Sequence, residues 1–310
     1  MSKENICFNS DPQPGIGLPY EDIFFIRNKP ENDRSESQNE IKLFLEDAFS
    51  FKNPDSIVNN LPEDKFDLEN LSKIQIDFIN WGNTQLVYLA SLLYSNDKKE
   101  KLAVLVNQPT TPFGSGLREF ENLKKLSDLD SNFVVRPFCY FSNKEQKQEL
   151  YVSPYIEKAK CIIGVKEKWG VFDPDPLYHY EQFSNETSDQ ILANMIGLLV
   201  YYYDPKSGLA IVKTQISGDD FILEKKWEEN PTISNIKLIA ARELKEIKFN
   251  DYINKIKCEF LEGTNLKKKC VKEGGFEINY GSEKPIPQEI IQKGIDLGMH
   301  LKKGNPKLSI

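Results

Sequence analysis

The run from Thr187 to Tyr203, TSDQILANMIGLLVYYY, limits what this chain can fold into more than any other stretch. It is apolar on most faces, and a helix of that kind has to be buried. The Thr187-x-x-Gln190 spacing suits a capping box, in which side chains satisfy free amides of the first turn. Asp204-Pro205 ends the helix, because proline cannot continue one. The second half of the chain is therefore built around a buried helical spine. The stretch before it reads differently. Ile74–Ile79, Gln85–Tyr94, Lys101–Asn107, Phe133–Phe141 and Glu149–Pro154 have the pattern of short strands separated by polar turns. One helix, Leu117–Leu126, with Phe120 and Leu123 on one face, falls between the third and fourth of them. After the spine come a strand at Asn235–Ile239 and two helical patterns, Glu243–Leu261 and Pro287–Leu301. Strands first and helices afterwards predict an α+β fold in two lobes.

The ends of the chain are less regular. Residues 1–37, rich in Asn, Pro, Asp, Glu and Ser, read as an extended arm carrying one apolar patch, Ile23–Ile26. Residues 38–49 suit a short amphipathic helix, and 53–72 a polar connection. The expected organisation is an arm over 1–72, a first lobe over 73–157, a second over 158–262, and a C-terminal extension with one helix over 263–310.

Composition removes several classes of function. A formal charge of −7 argues against a nucleic-acid partner. The densest basic stretch, Asn265–Glu273, reads as a solvated face. No run of about 18 apolar residues is present, so no membrane span is expected. The N-terminus lacks the apolar core of a signal peptide, and five scattered cysteines without a CxxC spacing suit reduced thiols; together these predict a cytoplasmic protein. The two histidines, His179 and His300, read as surface or packing residues, which leaves little room for a hydrolase or a His-based metal centre.

Local patterns then align with a known superfamily. Trp81-Gly82-Asn83-Thr84 followed by Val87-Tyr88-Leu89-Ala90 has the form of a glycine loop and its outgoing strand. Leu102–Leu105 stands where a strand would end in a nucleotide-binding lysine, and Glu119 where a helix glutamate would pair with that lysine. Val134–Pro137 suits the next strand, and Leu150–Ile156 with Glu157 suits a hinge. After the capped helix, IVKTQISGDDFIL (211–223) aligns without a gap to the catalytic-loop pattern I-V-H-R-D-L-K-P-E-N-I-L-I, and Ile236–Arg242 aligns to the strand ending in D-F-G. Over about residues 70–262 the chain resembles the protein-kinase-like superfamily, nearest its compact small-molecule phosphotransferases. The resemblance implies an antiparallel-sheet N-lobe and a helical C-lobe.

It also implies that the chemistry has been lost. Phosphoryl transfer needs a lysine on the phosphates, metal ligands and a carboxylate near the attacking hydroxyl. The lysine position is Leu105, the catalytic aspartate position is Gln215, and the metal-binding aspartate of D-F-G is Ala240. Gly82 is the only glycine of its loop, where a phosphate cradle usually has several. Gly82, Thr84, Glu119 and Glu157 remain as candidates to line a nucleotide cleft. Asp220, with Asp219 beside it, is the one candidate metal ligand. The expectation is a pseudokinase that acts by binding protein partners, as a scaffold or regulator, with no cofactor. The alternatives are a phosphotransferase or nucleotidyltransferase with rearranged ligands, using Mg and ATP, or a structural subunit of a larger assembly.

Overall fold

A computed structural model describes residues 6–9, 31–81, 84–157, 160–161, 185–212, 221–224, 232–262 and 288–308. The fold is mixed α+β, and its described residues divide into two compact units. The first runs to Glu121 and includes Arg136–Tyr155; the second takes Asn122–Val135 and the described residues from Ile156 to Leu308.

The first unit is built on five antiparallel strands, β2 (Leu71–Trp81), β3 (Gln85–Tyr94), β4 (Lys99–Asn107), β5 (Cys139–Asn143) and β6 (Gln148–Pro154). Their order in the sheet is β2-β3-β4-β6-β5, and a short strand β1 (Ile6–Asn9) adds to β2 in parallel. Alternation fixes the two faces. Leu86, Tyr88, Ala90 and Leu92 of β3 and Leu102, Val104 and Val106 of β4 point to one core. That core is completed by helix α1 (Glu31–Ala48) and the short helix α2 (Ile57–Asn60). Phe44, Leu45, Phe49, Ile57, Val58, Leu61 and Phe66 are all buried in it, and Phe44 meets Phe141 at 5.6 Å between ring centroids. Residues 53–72 are therefore not a mere polar connection, and the later part of the expected arm is a layer of the first unit. The turn from β3 to β4 closes with Tyr94 N–H on the Lys98 carbonyl at 3.0 Å. It passes through Asp97 at φ 63°, a conformation that Asp tolerates better than most residues.

Helix α3 (Ser115–Leu129) is longer than the expected 117–126. The strand expected over 133–141 starts only at Cys139. Pro137 has no N–H to give a ladder. Val135 instead donates to the Leu238 carbonyl at 2.9 Å, and Leu238 donates back to Phe133 at 2.8 Å.

The second unit surrounds helix α4 (Asn185–Tyr201), the expected spine, which is almost wholly buried from Ile191 onward. It begins two residues ahead of the expected cap. Two small ladders follow. Strand β8 (Leu209–Ile211) pairs with β11 (Leu244–Glu246), and β9 (Phe221–Leu223) pairs with both β10 (Ile236–Leu238) and the two-residue β7 (Lys160–Cys161). The helix expected from Glu243 thus gives up its first turn to β11, because Leu244–Glu246 completes the edge of β8. Helix α5 begins at Phe249 and runs to Glu262. Tyr252, buried on α5, directs its hydroxyl at the carbonyls of Leu199 and Ile211, 3.2 and 3.1 Å away.

Helix α6 (Gln288–Lys303) packs along α4. A Cβ on Gly294 would stand 2.7 Å from the Ala193 carbonyl oxygen, and one on Gly298 2.5 Å from that of Gly197. Only glycine lets the two backbones come this close. The expected C-terminal extension is in this sense a structural member of the second unit.

Candidate functional site

Leu105 is the third residue from the end of β4, opposite Val87 on one side and Tyr151 on the other. Strand parity puts it on the face away from the α1–α2 core, together with Gln85, Val87 and Asn107. The first half of α3 covers this face, with Phe120 against the rings of Tyr140 and Tyr151 at 5.9 and 6.4 Å. Leu105 is half-buried there. It offers no charge and no hydrogen bond to a phosphate.

Glu119, one turn into α3, is buried. Gln85 donates to its carboxylate from Nε2 at 2.8 Å. Thr84, directly before Gln85, uses its carbonyl to accept from Gln108 N–H at 2.9 Å and from the Thr111 hydroxyl at 2.8 Å. Its own Oγ1 is buried and finds no partner among the described residues. Thr84 and Glu119 are thus brought near one another through Gln85. Gly82 lies outside the described residues. Glu157, in the second unit, is exposed.

Sequence reasoning missed the polar centre of this face. Glu149 is 1% exposed, yet it is a carboxylate in the middle of a protein. Five donors surround it: Asn107 Nδ2 at 3.0 Å, the Tyr140 hydroxyl at 2.6 Å, and the N–H groups of Gly114, Gly116 and Leu117 at 2.8, 3.3 and 3.4 Å. Burial and this carboxylate hold the Tyr140 hydroxyl protonated well beyond the ordinary phenol range. Gln85, Asn107 and Glu149 sit at neighbouring ends of three strands. Only the register reveals that they share a face, so the sequence signal was limited to a glycine pair ahead of a helix.

In the second unit, Ala240 lies two residues beyond β10 and is buried. Its neighbour Ala241 is held by Asn122, on the second half of α3, which donates to the Ala241 carbonyl at 2.8 Å. The segment aligned to D-F-G is thus fastened by backbone and amide contacts, and Ala240 provides no ligand oxygen. Gln215, Asp219 and Asp220 lie outside the described residues. Among the described residues no group of three His, Cys, Asp or Glu side chains is placed to hold a metal ion. Among them, too, no helix is long and apolar enough to cross a membrane. Cys139 is a buried thiol whose pKa burial pushes up to about 12, so it stays protonated and unreactive.

No protein-family model matches the chain, and no curated protein matches it either.

Proposed function

We propose that this chain is a pseudokinase, a kinase-like protein without phosphotransfer activity that works by binding protein partners as a regulator or scaffold. The observation that carries the reading is Leu105. It stands near the C-terminal end of the third antiparallel strand, on the face covered by α3, where a kinase-like fold needs a cation for the phosphates. Element order supports the same reading. A hairpin (β2–β3) precedes the Leu105 strand, the Glu119 helix separates that strand from β5 and β6, and the β9–β10 pair follows the spine helix and leads to Ala240. Glu119 is hydrogen-bonded by an uncharged amide rather than by a lysine at 105. The scattered, CxxC-free cysteines support a place in the cytoplasm.

Thermal unfolding of the full chain with ATP, ADP and Mg²⁺, alongside an assay for ATP turnover, tests the proposal. The expected result is no metal-dependent shift and no turnover. A stabilisation of several degrees that requires Mg²⁺, with turnover lost in Asp220→Ala, would establish the phosphotransferase alternative instead.

A further inference from the structure

We infer that Glu149 is a positioning residue for helix α3: a carboxylate supplied by the sheet takes the place at the helix start that a capping side chain usually fills, and sets where α3 begins. The first amides of any helix have no partner within it. Here Gly114, Gly116 and Leu117 direct theirs at the two oxygens of Glu149, which belongs to β6 and lies more than 30 residues away in sequence. A negative charge is favoured at this end of the helix by the macrodipole. Asn107 from β4 and Tyr140 from β5 hold the same carboxylate from the sheet side, so its orientation is fixed by the sheet as well as by the helix. The approach is close. A Cβ on Gly116 would stand 3.0 Å from Asn107 Nδ2 and 3.3 Å from Glu149 Cβ. Gly114, at φ 91°, makes the turn that aims these amides.

The meaning of this arrangement rests on the pseudokinase reading, although its geometry does not. In a kinase-like fold, the helix glutamate is held by the lysine of the neighbouring strand. With leucine at 105 that contact cannot form, and Glu149 at the helix start together with Gln85 on Glu119 places the first half of α3 by means internal to the first unit. The helix position is then independent of nucleotide.

Hydrogen exchange on the full chain tests this, comparing the native sequence, Glu149→Gln and Tyr140→Phe, each with and without ATP and Mg²⁺. In the native protein the amides of residues 114–120 should exchange slowly, at the same rate with or without nucleotide. Glu149→Gln should speed their exchange by roughly tenfold or more, the scale of one lost charge-assisted hydrogen bond, while amides of β3 and β4 keep their protection. Tyr140→Phe removes a sheet-side donor to the carboxylate and should speed exchange in the same segment by a smaller factor, and it decides alone if Glu149→Gln does not fold. Loop-like exchange of 114–120 in the native protein would overturn the inference. So would unchanged protection in Tyr140→Phe, or loss spread equally over helix and sheet in Glu149→Gln. Slower α3 exchange on adding nucleotide would also overturn it. Nucleotide that stabilises the protein without changing α3 would sink the pseudokinase reading and leave the role of Glu149 standing.

Discussion

Helix α1 reaches its sheet with large side chains, whereas helix α6, beside its buried isoleucines, sets two glycines against the α4 backbone. Phe44 and Leu45 of α1 interdigitate with the first unit's sheet, and Phe49 just beyond the helix joins them. Gly294 and Gly298 of α6 leave room for the α4 backbone in the second unit. Both helices come from segments outside the stretch that resembles a kinase, and both complete a core. The difference teaches that similar burial can depend on volume present or on volume absent. The two contacts should therefore fail in opposite directions, one to truncation and the other to a single added methyl group.

Phe44→Ala should be the most damaging change. It removes a ring from a closed core and leaves a cavity, at a cost of about 3–5 kcal/mol in urea unfolding. If the change is silent, α1 is a detachable arm after all. Gly298→Ala should follow at about 1–3 kcal/mol, because the methyl meets a backbone carbonyl that cannot rotate away. Gly304→Ala is its control. There the nearest atom to a new Cβ is 3.5 Å away, and stability should stay within about 0.5 kcal/mol. Leu43→Ala is the matching control on α1, since Leu43 is 49% exposed and should likewise change little.

A pH series sharpens the description of the α6 end. Lys302 is buried, and its ammonium donates to the carbonyl of Tyr203 and, at 3.4 Å, to that of Leu308. Burial lowers its pKa to about 8, although Asp204 opposes the shift. In the unfolded chain a lysine titrates near about 10.4. Between these values the unfolded state binds the extra proton, so the Lys302 contribution should make stability rise with pH from about 8 toward 10 and is constant below that window. Tyr201 acts the other way only at higher pH. Burial raises its hydroxyl to about 12, so its contribution is lost above the ordinary phenol pKa. Urea midpoints across the window should show the rise in the native protein and its disappearance in Lys302→Met.

Much of the local structure was legible from pattern alone. The spine helix announced itself because the mostly apolar run Ile191–Tyr203, behind a polar first turn, has to be buried. Strands β3 and β4 were legible because alternation survives in the sequence whatever they pair with. Pattern failed where a partner outvoted propensity. Leu244–Glu246 is a strand only because β8 has an edge to fill, and Val134–Val135 left the expected strand for a contact with Leu238. The polar stretch 53–72 concealed Ile57, Val58, Leu61 and Phe66, four well-spaced apolar residues that matter only once a sheet face stands opposite them.

The candidate site divides in the same way. Sequence alone determined that leucine, glutamine and alanine stand at the three positions where the resemblance needs charge, because residue identity at an aligned position needs no coordinates to read. Only the tertiary structure decided that Gln85 would meet Glu119 and that Glu149 would meet the start of α3. Strand register and helix docking bring these groups together across separations of more than 30 residues. A buried carboxylate is recognisable as one only when the donors that make its burial tolerable are in place.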